Sequence, residues 1–288
     1  MMKPAIVFLG CERVPVTSTD DILWINSLKE RGYTVLSLDW RTPLDQFPER
    51  GVCLPRTTWD YFDHLEEFLE KLTQLEARGL QVINALETVR WNCDKLYLKR
   101  MSERGVPTLP SFFIGESEQS VDEFFQQHPA EEYLLKPRVG AGGFGFQKFS
   151  MAKMKSVLGS LSGSEGPLFV QPVLNEIKVS GEKSLMYSMG KPTHAVQKLP
   201  GQGEIRIQEE WGGSTKLYEP SKEERALADR LIQEYAAELL YARVDLMNAS
   251  DGRPLLMELE LIEPSLYFRY LPEISETYAA SLVAAHLE

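Results

Sequence analysis

The chain has 288 residues, of which 43% are hydrophobic and 25% are charged, and its formal net charge at pH 7 is −11. A chain of this length can form two or three modules, and its composition is typical of a soluble globular protein. The negative charge argues against nucleic acid as a partner, because phosphate backbones are bound by basic surfaces, and no apolar run approaches the roughly 20 residues of a membrane span.

The N-terminal region alternates strand, helix and strand, in the segments PAIVFLG, STDDILWINSLKERG and YTVLSLDW. This alternation predicts an α/β domain with a parallel sheet over residues 1–90. Ser18 or Thr19 is expected to cap the first helix, and Gly32 to end it. The clearest helical periodicity covers residues 58–79 and ends in a glycine, as many helices do.

Two further modules are predicted, a central lid subdomain over residues 91–170 and a C-terminal subdomain over residues 171–288. Asn92 is expected to cap the first helix of the central module. The patterns S-V-D-E at 120–123 and S-K-E-E at 221–224 each predict a capping box at the start of a helix. The segment LFVQPVL predicts a buried strand that leads into a region of further strands.

Three cysteines are scattered along the chain, at Cys11, Cys53 and Cys93. Their odd number and their spacing favour reduced thiols in a cytoplasmic protein. The apolar run AIVFLG is too short for a signal sequence and predicts the first strand instead. The four histidines are far apart, which argues against a histidine-based zinc site.

The segment EYLLKPRVGAGGFGFQKF, residues 132–149, contains a glycine pattern found in dinucleotide-binding loops. Gly140, Gly142 and Gly145 match the G-x-G-x-x-G string, but that site requires a helix directly after the glycines. The residues that follow, FQKFS, predict a strand. We therefore expect a hairpin whose backbone N–H groups close over phosphates, with Lys136 at its base.

Three carboxylates lie on two consecutive predicted strands near the C-terminus. Glu258 and Glu260 are two residues apart, so both side chains point to one face of a strand. Asp245, on the preceding strand, can face them if the hairpin register places it opposite one of them. Carboxylates at this density suit Mg²⁺, which prefers oxygen ligands. The alternative is an ordinary antiparallel strand with one solvated face.

The order of these segments resembles the ATP-grasp superfamily, and within it the prokaryotic glutathione synthetase branch, over residues 82–268. The resemblance implies an ATP-grasp fold in which a parallel-sheet domain precedes a lid and an antiparallel-sheet subdomain. The residues that it implies for ATP binding are Lys95, Lys136, Gly140, Gly142, Gly143, Gly145, Gln171, Pro172, Val173, Leu174 and Glu182. It also implies Arg206 and Lys136 as catalytic cations and Asp245, Glu258 and Glu260 as ligands of Mg²⁺, with Mn²⁺ as an alternative metal.

Two positions depart from the glutathione synthetase pattern. Ser184 stands where that family has arginine, and Glu260 stands where it usually has asparagine. The segment MELELIEPSLYF is more similar to the ATP-grasp cyclo-ligase of cycloserine biosynthesis and its uncharacterised relatives.

The resemblance implies a ligase that uses ATP to activate the carboxylate of a small amino-acid-like substrate as an acyl phosphate, which an amine then attacks. Arg13, Arg56 and Ser265 are the candidate substrate residues, although either arginine could instead be a solvated surface charge. An intramolecular cyclo-ligase and a non-catalytic nucleotide-binding regulatory protein are the alternatives. The oligomeric state stays open, with a homodimer as one option.

Overall fold

Three β-sheets with flanking helices form the protein, in a computed structural model that describes residues 3–140, 145–160, 166–207 and 209–288. The first sheet is parallel, with the strand order β2-β1-β3-β4. Its strands are β1 (Ala5–Gly10), β2 (Val35–Asp39), β3 (Gly51–Thr57) and β4 (Leu80–Val82). The helices of this region are α1 (Asp21–Glu30), α2 (Leu65–Arg78) and α3 (Leu86–Asn92).

The central and C-terminal sheets are antiparallel, with the orders β5-β8-β6-β7 and β11-β10-β9-β12-β13. The central elements are α4 (Leu96–Glu103), β5 (Phe112–Phe113), α5 (Val121–Gln127), β6 (Glu132–Pro137), β7 (Gln147–Ser150), α6 (Met154–Gly159) and β8 (Leu168–Pro172). The C-terminal elements are α7 (Glu176–Val179), β9 (Glu182–Ser188), β10 (Lys191–Leu199), β11 (Ser214–Leu217), α8 (Lys222–Tyr235), β12 (Ala242–Asn248), β13 (Pro254–Glu260) and α9 (Ile274–His286).

The predicted fold class is confirmed, since a parallel α/β sheet precedes two antiparallel sheets with helices. The strands on either side of the glycine segment pair as predicted, because β7 runs antiparallel to β6. Both capping boxes are present, at Ser120 with Glu123 and at Ser221 with Glu224. Among the described helices, none is long and apolar enough to cross a bilayer.

Two predicted helix starts are wrong, because side chains there hold the backbone in turns. The helix expected from residue 58 begins only at Leu65. Ahead of it, Asp60 accepts hydrogen bonds from Trp40 and Arg41, which fixes residues 58–63 as a turn against β2. The cap position of α1 is Asp20 and not Ser18 or Thr19. The Ser18 hydroxyl donates to the carbonyl oxygen of Pro15. The Thr19 hydroxyl donates to the carbonyl oxygen of Val16 and accepts, at 3.4 Å, from the N–H of Asp21 at the start of the helix.

Asn92 is the last residue of α3 and does not cap a helix. Its amide instead joins the end of α3 to strand β13. Its Nδ2 donates to the carbonyl oxygen of Leu259 at 2.7 Å, and its Oδ1 accepts from the N–H of Leu261 at 2.9 Å. The prediction failed because these partners lie more than 160 residues away along the chain.

The N-terminal and C-terminal sheets share one apolar core. Trp24 of α1 is fully buried, and edge-on aromatic contacts surround it. Its ring partners are Phe8, Tyr241, Phe268 and Tyr278. Because three of these four residues follow position 240, the C-terminal region packs directly on the parallel sheet.

Asn84 joins these two regions through three buried hydrogen bonds. Its Nδ2 donates to the carbonyl oxygens of Tyr241 and Leu261, both at 2.8 Å, and its Oδ1 accepts from the N–H of Leu240 at 2.9 Å. These bonds occupy both donor hydrogens of the amide and one acceptor position. The Asn84 side chain therefore fixes the strand end of the N-terminal sheet against β12 and β13.

Replacing Asn84 with alanine is expected to lower the free energy of unfolding by roughly 2–5 kcal/mol, because it leaves three buried polar groups without partners. Urea unfolding of the two proteins measures the difference. Asn175 is exposed and makes no capping hydrogen bond within the described chain. Asn175→Ala should therefore change the same quantity by less than about 0.5 kcal/mol. Equal losses in the two variants would contradict the role assigned to Asn84.

Candidate active site

A cavity of about 450 Å³ lies where the central sheet, the C-terminal sheet and the end of the N-terminal region meet. It is lined by most of the residues that the sequence predicted for the site. These are Lys95, Lys136, Gly140, Gln171, Pro172, Val173, Leu174, Glu182, Arg206, Asp245, Glu258, Glu260 and Ser265. Residues that are distant in sequence thus meet around one enclosed space.

One part of the cavity is apolar. Leu109, Ile177, Ile207 and Met247 form a small cluster there, with Met257 packed against it. We call this part of the cavity the apolar slot, and an apolar lining of this kind suits an uncharged ring system.

The segment between β8 and α7 forms the edge of this slot. The N–H of Val173 donates to the carbonyl oxygen of Glu132 at 2.9 Å, so the central sheet already uses it. The N–H of Leu174 makes no main-chain hydrogen bond within the described residues. Of the two N–H groups, Leu174 is therefore the one open to a ligand.

Two lysines enter the cavity from the central module. Lys136, on β6, donates from its Nζ to Oε1 of Gln171 at 2.9 Å, and Gln171 in turn donates to the hydroxyl of Ser111. Lys95 precedes α4, and its Nζ donates to the carbonyl oxygen of Gly140 at 2.6 Å. Burial lowers the pKa of Lys136, while the nearby Glu258 carboxylate opposes that shift. The ammonium group of Lys95 lies 3.9 Å from the same carboxylate. Both lysines therefore interact electrostatically with Glu258.

The predicted glycine loop is only partly described. Gly140 lies at the cavity wall, and Gly145 begins the return into β7 with a φ of 74°, a value that glycine adopts without strain. Gly145 is not among the described residues that line the cavity. Gly142 and Gly143 lie outside the described residues.

The three predicted carboxylates lie on paired strands, as the sequence analysis required. In the β12–β13 register, Asp245 is opposite Glu258, and Arg243 is opposite Glu260. The guanidinium of Arg243 donates to Asp245 at 2.8 Å and to Glu260 at 2.5 Å. A buried arginine therefore lies between two of the acids that were predicted to hold a metal.

The acids near Arg243 differ in their electrostatic environments. Burial would raise the pKa of Asp245, but Arg243 and Lys198 lower it to about 2. Burial raises the pKa of Glu260 to about 7, and Arg243 offsets only part of that effect. Burial also raises the pKa of Glu182 to about 7, although this carboxylate is paired with Lys198. Asp245 is therefore the firmly ionised member of the group.

The assignment of Asp245, Glu258 and Glu260 to a metal stays a prediction, and the three side chains differ in how well they fit that role. In the described part of the chain, no group of three or more His, Cys, Asp or Glu side chains is arranged to hold a metal ion. Asp245 is buried and engaged by Arg243 and Ser184. Glu258 and Glu260 fit a metal better, because about 30% of each side chain is exposed and both supply the oxygen donors that Mg²⁺ prefers.

Arg206 is held at the mouth of the cavity by its own loop. Its guanidinium lies 3.4 Å from the centre of the Trp211 ring and donates to Glu204. Its Nε is buried without a hydrogen-bond partner among the described residues. Arg206 therefore keeps hydrogen-bonding capacity for an anion in the cavity.

The predicted substrate residues separate in the structure. Ser265 lines the cavity, and its carbonyl oxygen accepts from Arg243 at 3.1 Å. The prediction that Arg56 binds substrate is wrong, because its side chain is 1% exposed and its charge is paired with Asp21 at 3.0 Å. The prediction that Arg13 belongs to this site is also wrong, because it lines a separate, more open depression at the end of the parallel sheet.

The sequence analysis missed two cations of the site, Arg243 and Lys198. Both line the cavity, and Lys198 pairs with Glu182. A signal for Arg243 was present, because it lies two residues before Asp245 on a strand and therefore points to the same face. Lys198 is the second-last residue of β10, and its partner can be identified only from the β9–β10 register.

Two protein families match separate parts of the chain. Residues 6–84 match the N-terminal domain of the D-cycloserine synthetase DcsG, and residues 94–265 match the ATP-grasp domain of prokaryotic glutathione synthetase. The cycloserine biosynthesis protein DcsG of Streptomyces lavendulae is 25% identical over 267 residues, which cover 87% of this chain and 88% of that protein.

Solved structures show the same fold. The crystal structure of D-cycloserine synthetase DcsG superimposes with a TM-score of 0.81 at 22% identity, over 97% of this chain and 99% of that one. D-alanine–D-alanine ligase from Bacillus anthracis, complexed with ATP, superimposes with a TM-score of 0.60 at 16% identity, over 96% and 92% of the two chains.

The second family match covers more than half of the chain, and it includes both lysines and all three predicted metal ligands. ATP-grasp ligases use ATP and a divalent metal to join a carboxylate to an amine. The chain therefore belongs to the ATP-grasp carboxylate–amine ligases, with an ATP-grasp domain of the prokaryotic glutathione synthetase family.

Proposed function

We propose that this enzyme uses ATP and Mg²⁺ to phosphorylate the carboxylate of a small amino-acid-like substrate and then joins the acyl group to an amine. One observation carries the proposal. Lys95 and Lys136 face Glu258 across a cavity that has an apolar slot at one side. A nucleoside triphosphate requires these features together, namely a slot for the base, cations for the phosphates and acids for a metal.

ATP would lie with its base in the apolar slot and its phosphates between the lysines. Gln171 to Leu174 edge the slot, and the free N–H of Leu174 is the group we assign to the base. Glu182 remains a proposed nucleotide contact at the same wall, where Lys198 orients its carboxylate. Gly140 to Gly145 are proposed to close over the phosphates.

In the first chemical step, a carboxylate oxygen of the substrate attacks the γ-phosphorus, and the bond to the β-phosphate oxygen breaks to release ADP. Lys136, Lys95 and Arg206 are proposed to neutralise the charge on the phosphate oxygens, which is the main protein contribution to phosphoryl transfer. When bound, a divalent ion held by Glu258 and Glu260 would supply further positive charge to these oxygens. Asp245 stays a predicted third ligand, and Mn²⁺ an alternative metal.

In the second step, an amine nitrogen attacks the acyl carbon, the bond to phosphate breaks, and the nitrogen loses a proton. Negative charge develops on the acyl oxygen during this attack. Arg243 is a buried cation at the cavity wall, fixed by Asp245 and Glu260. We propose that it stabilises this oxygen, since an already oriented charge needs no reorganisation during the reaction.

A cyclo-ligase is the second candidate. The match of residues 6–84 to the N-terminal domain of a cycloserine synthetase favours this candidate. These residues lie outside the ATP-grasp domain, and two of them, Trp59 and Tyr61, line the cavity. In that case the attacking nitrogen belongs to the activated molecule. A cyclo-ligase would release ADP with one substrate and no added amine.

The proposed activity is tested by incubating the protein with ATP, Mg²⁺, hydroxylamine and a panel of amino acids. We expect ADP release that depends on the amino acid, with formation of an equal amount of hydroxamate, because hydroxylamine intercepts acyl phosphates. Removing the metal with EDTA should stop both signals. Tight ATP binding without ADP release across the panel would instead favour the non-catalytic alternative.

The cytoplasm is the proposed compartment, supported by the three cysteines, which are buried as free thiols. The acidic net charge supports small molecules rather than nucleic acid as partners. A homodimer remains a prediction.

A further inference from the structure

Glu263 occupies a fixed position at the end of the cavity that is closed by the N-terminal region. The backbone around it is held from both sides. Nε1 of Trp59 donates to the carbonyl oxygen of Glu263 at 3.2 Å, and Arg56 donates to that of Pro264 at 2.6 Å. The hydroxyl of Tyr241 lies 2.9 Å from the carbonyl oxygen of Ile262. The side chain of Glu263 therefore leaves a rigid main chain.

The carboxylate of Glu263 differs from every other acid in the cavity wall. The other acids among the described lining residues each have a cation within 4.0 Å. These pairs are Glu182–Lys198, Glu209–Arg269, Asp245–Arg243, Glu258–Lys95 and Glu260–Arg243. Glu263 is only 8% exposed, yet it forms no ion pair or side-chain hydrogen bond with any residue that the structure describes.

The cations near Glu263 are already paired with other acids, so none of them neutralises its carboxylate. Burial, together with the neighbouring Glu260, raises its pKa to about 8. Lys95, Arg56 and Arg243 act in the opposite direction, but each of them already has a closer acidic partner. A buried carboxylate without a partner is unfavourable, and a cation placed beside it removes that penalty.

We propose that Glu263 binds the ammonium group of the substrate whose carboxylate is phosphorylated. The proposal rests on the proposed function, and it narrows the substrate to a small amino acid with a free amino group. Trp59 and Tyr61 line the same end of the cavity and limit the space beside Glu263. The substrate carboxylate then points away from Glu263, toward Arg243 and the phosphate-binding lysines.

The test compares amino acids with the same molecules lacking the amino group. Glycine is paired with acetate, alanine and β-alanine are each paired with propionate, and serine is paired with 3-hydroxypropionate. Both enantiomers of alanine and serine are used. The wild-type enzyme should release ADP with both members of a pair, but KM should be much lower for the amino acid than for its des-amino partner. In Glu263→Gln, which keeps the size but loses the charge, KM for the amino acid should rise about 10- to 100-fold, the loss expected for one charged hydrogen bond.

Three further measurements separate recognition from a structural role. The loss of activity in Glu263→Gln should be much smaller with the des-amino partner than with the amino acid. KM for ATP should change less than KM for the amino acid, and kcat should change less than either KM. Glu263→Asp keeps the charge and should recover part of the affinity for the amino acid. Calorimetry of the wild type with AMPPNP, Mg²⁺ and each pair repeats the comparison without turnover.

Equal loss of activity with both members of a pair would overturn the proposal and show a structural role. Equal affinity of the wild type for an amino acid and its des-amino partner would overturn it as well, even if the variant failed to fold. So would the absence of binding by every amino acid of the panel. Failure of the proposed function looks different, because ATP would then bind and no carboxylate would cause ADP release.

Discussion

Replacing Glu258 with glutamine is expected to lower the rate of ADP release by about 100- to 1,000-fold or more, the range found when one fixed charge is lost from a reaction site. Glu258 lies opposite Asp245, 3.9 Å from the ammonium group of Lys95, and its carboxylate also acts on Lys136. Glutamine has the same shape but supplies neither a charged metal ligand nor a counter-charge for the lysines. Steady-state ADP release at saturating ATP and Mg²⁺ measures the effect.

The fold should survive this substitution, because the Glu258 side chain is partly exposed in the cavity and packs in no core. The free energy of unfolding is expected to change by less than about 0.5 kcal/mol. Glu103 is a matched control, since it pairs with Lys99 on the exposed face of α4, outside the cavity. Glu103→Gln should leave ADP release unchanged. A fully active Glu258→Gln enzyme would refute the assignment of Glu258 to the metal.

The positions of Glu258 and Asp245 could be predicted because strand geometry is local. Alternation places Glu258 and Glu260 on one face, and the short turn at Asp251 and Gly252 leaves few possible registers for the hairpin. The capping boxes could be predicted for the same reason, since each depends on residues three positions apart. Local rules thus placed the acids of these two strands, whereas most of the other cavity residues were implied by the family resemblance.

The predictions for Arg56 and Asn92 failed because their partners are remote in sequence. The functional hypothesis for Arg56 required a free guanidinium, but Asp21, 35 positions earlier, pairs with it in the core. Asn92 is a reasonable helix cap by residue type, yet β13 uses its amide. A side chain that can serve either a local or a long-range role cannot be assigned from spacing alone, because packing of the modules decides between the two.

The same limit explains why Arg243 was missed. The carboxylates were identified by type and spacing, whereas the cation between them was not considered. Arg243 pairs with Asp245 and Glu260 and so reduces their mutual repulsion without any metal. Asp245 and Glu260 are therefore both paired with Arg243. Glu258 is not paired with Arg243, and its partly exposed side chain is open to a ligand.

Replacing Arg243 with methionine is expected to destabilise the protein by roughly 3–5 kcal/mol, because it leaves the buried Asp245 and the half-buried Glu260 without the cation that they share. Arg243 is 6% exposed and donates to Asp245, Glu260 and the carbonyl oxygen of Ser265. Hydroxamate formation should also be lost, since the substitution removes the fixed positive charge proposed for the acyl oxygen in the second step. Denaturant unfolding and the hydroxamate assay measure the two effects.

Arg253→Met is the matched control for this prediction, because the Arg253 side chain is 75% exposed and pairs with Asp251 in the turn before β13. Its effect on the unfolding free energy should stay below about 1 kcal/mol. Adding Glu260→Gln to Arg243→Met removes one of the two orphaned charges, so we expect the double variant to regain part of the stability while staying inactive. Recovery of activity in the double variant would show that Arg243 only neutralises Glu260. Equal stability of Arg243→Met and Arg253→Met would show that the ion pairs of Arg243 contribute nothing to the stability of the fold.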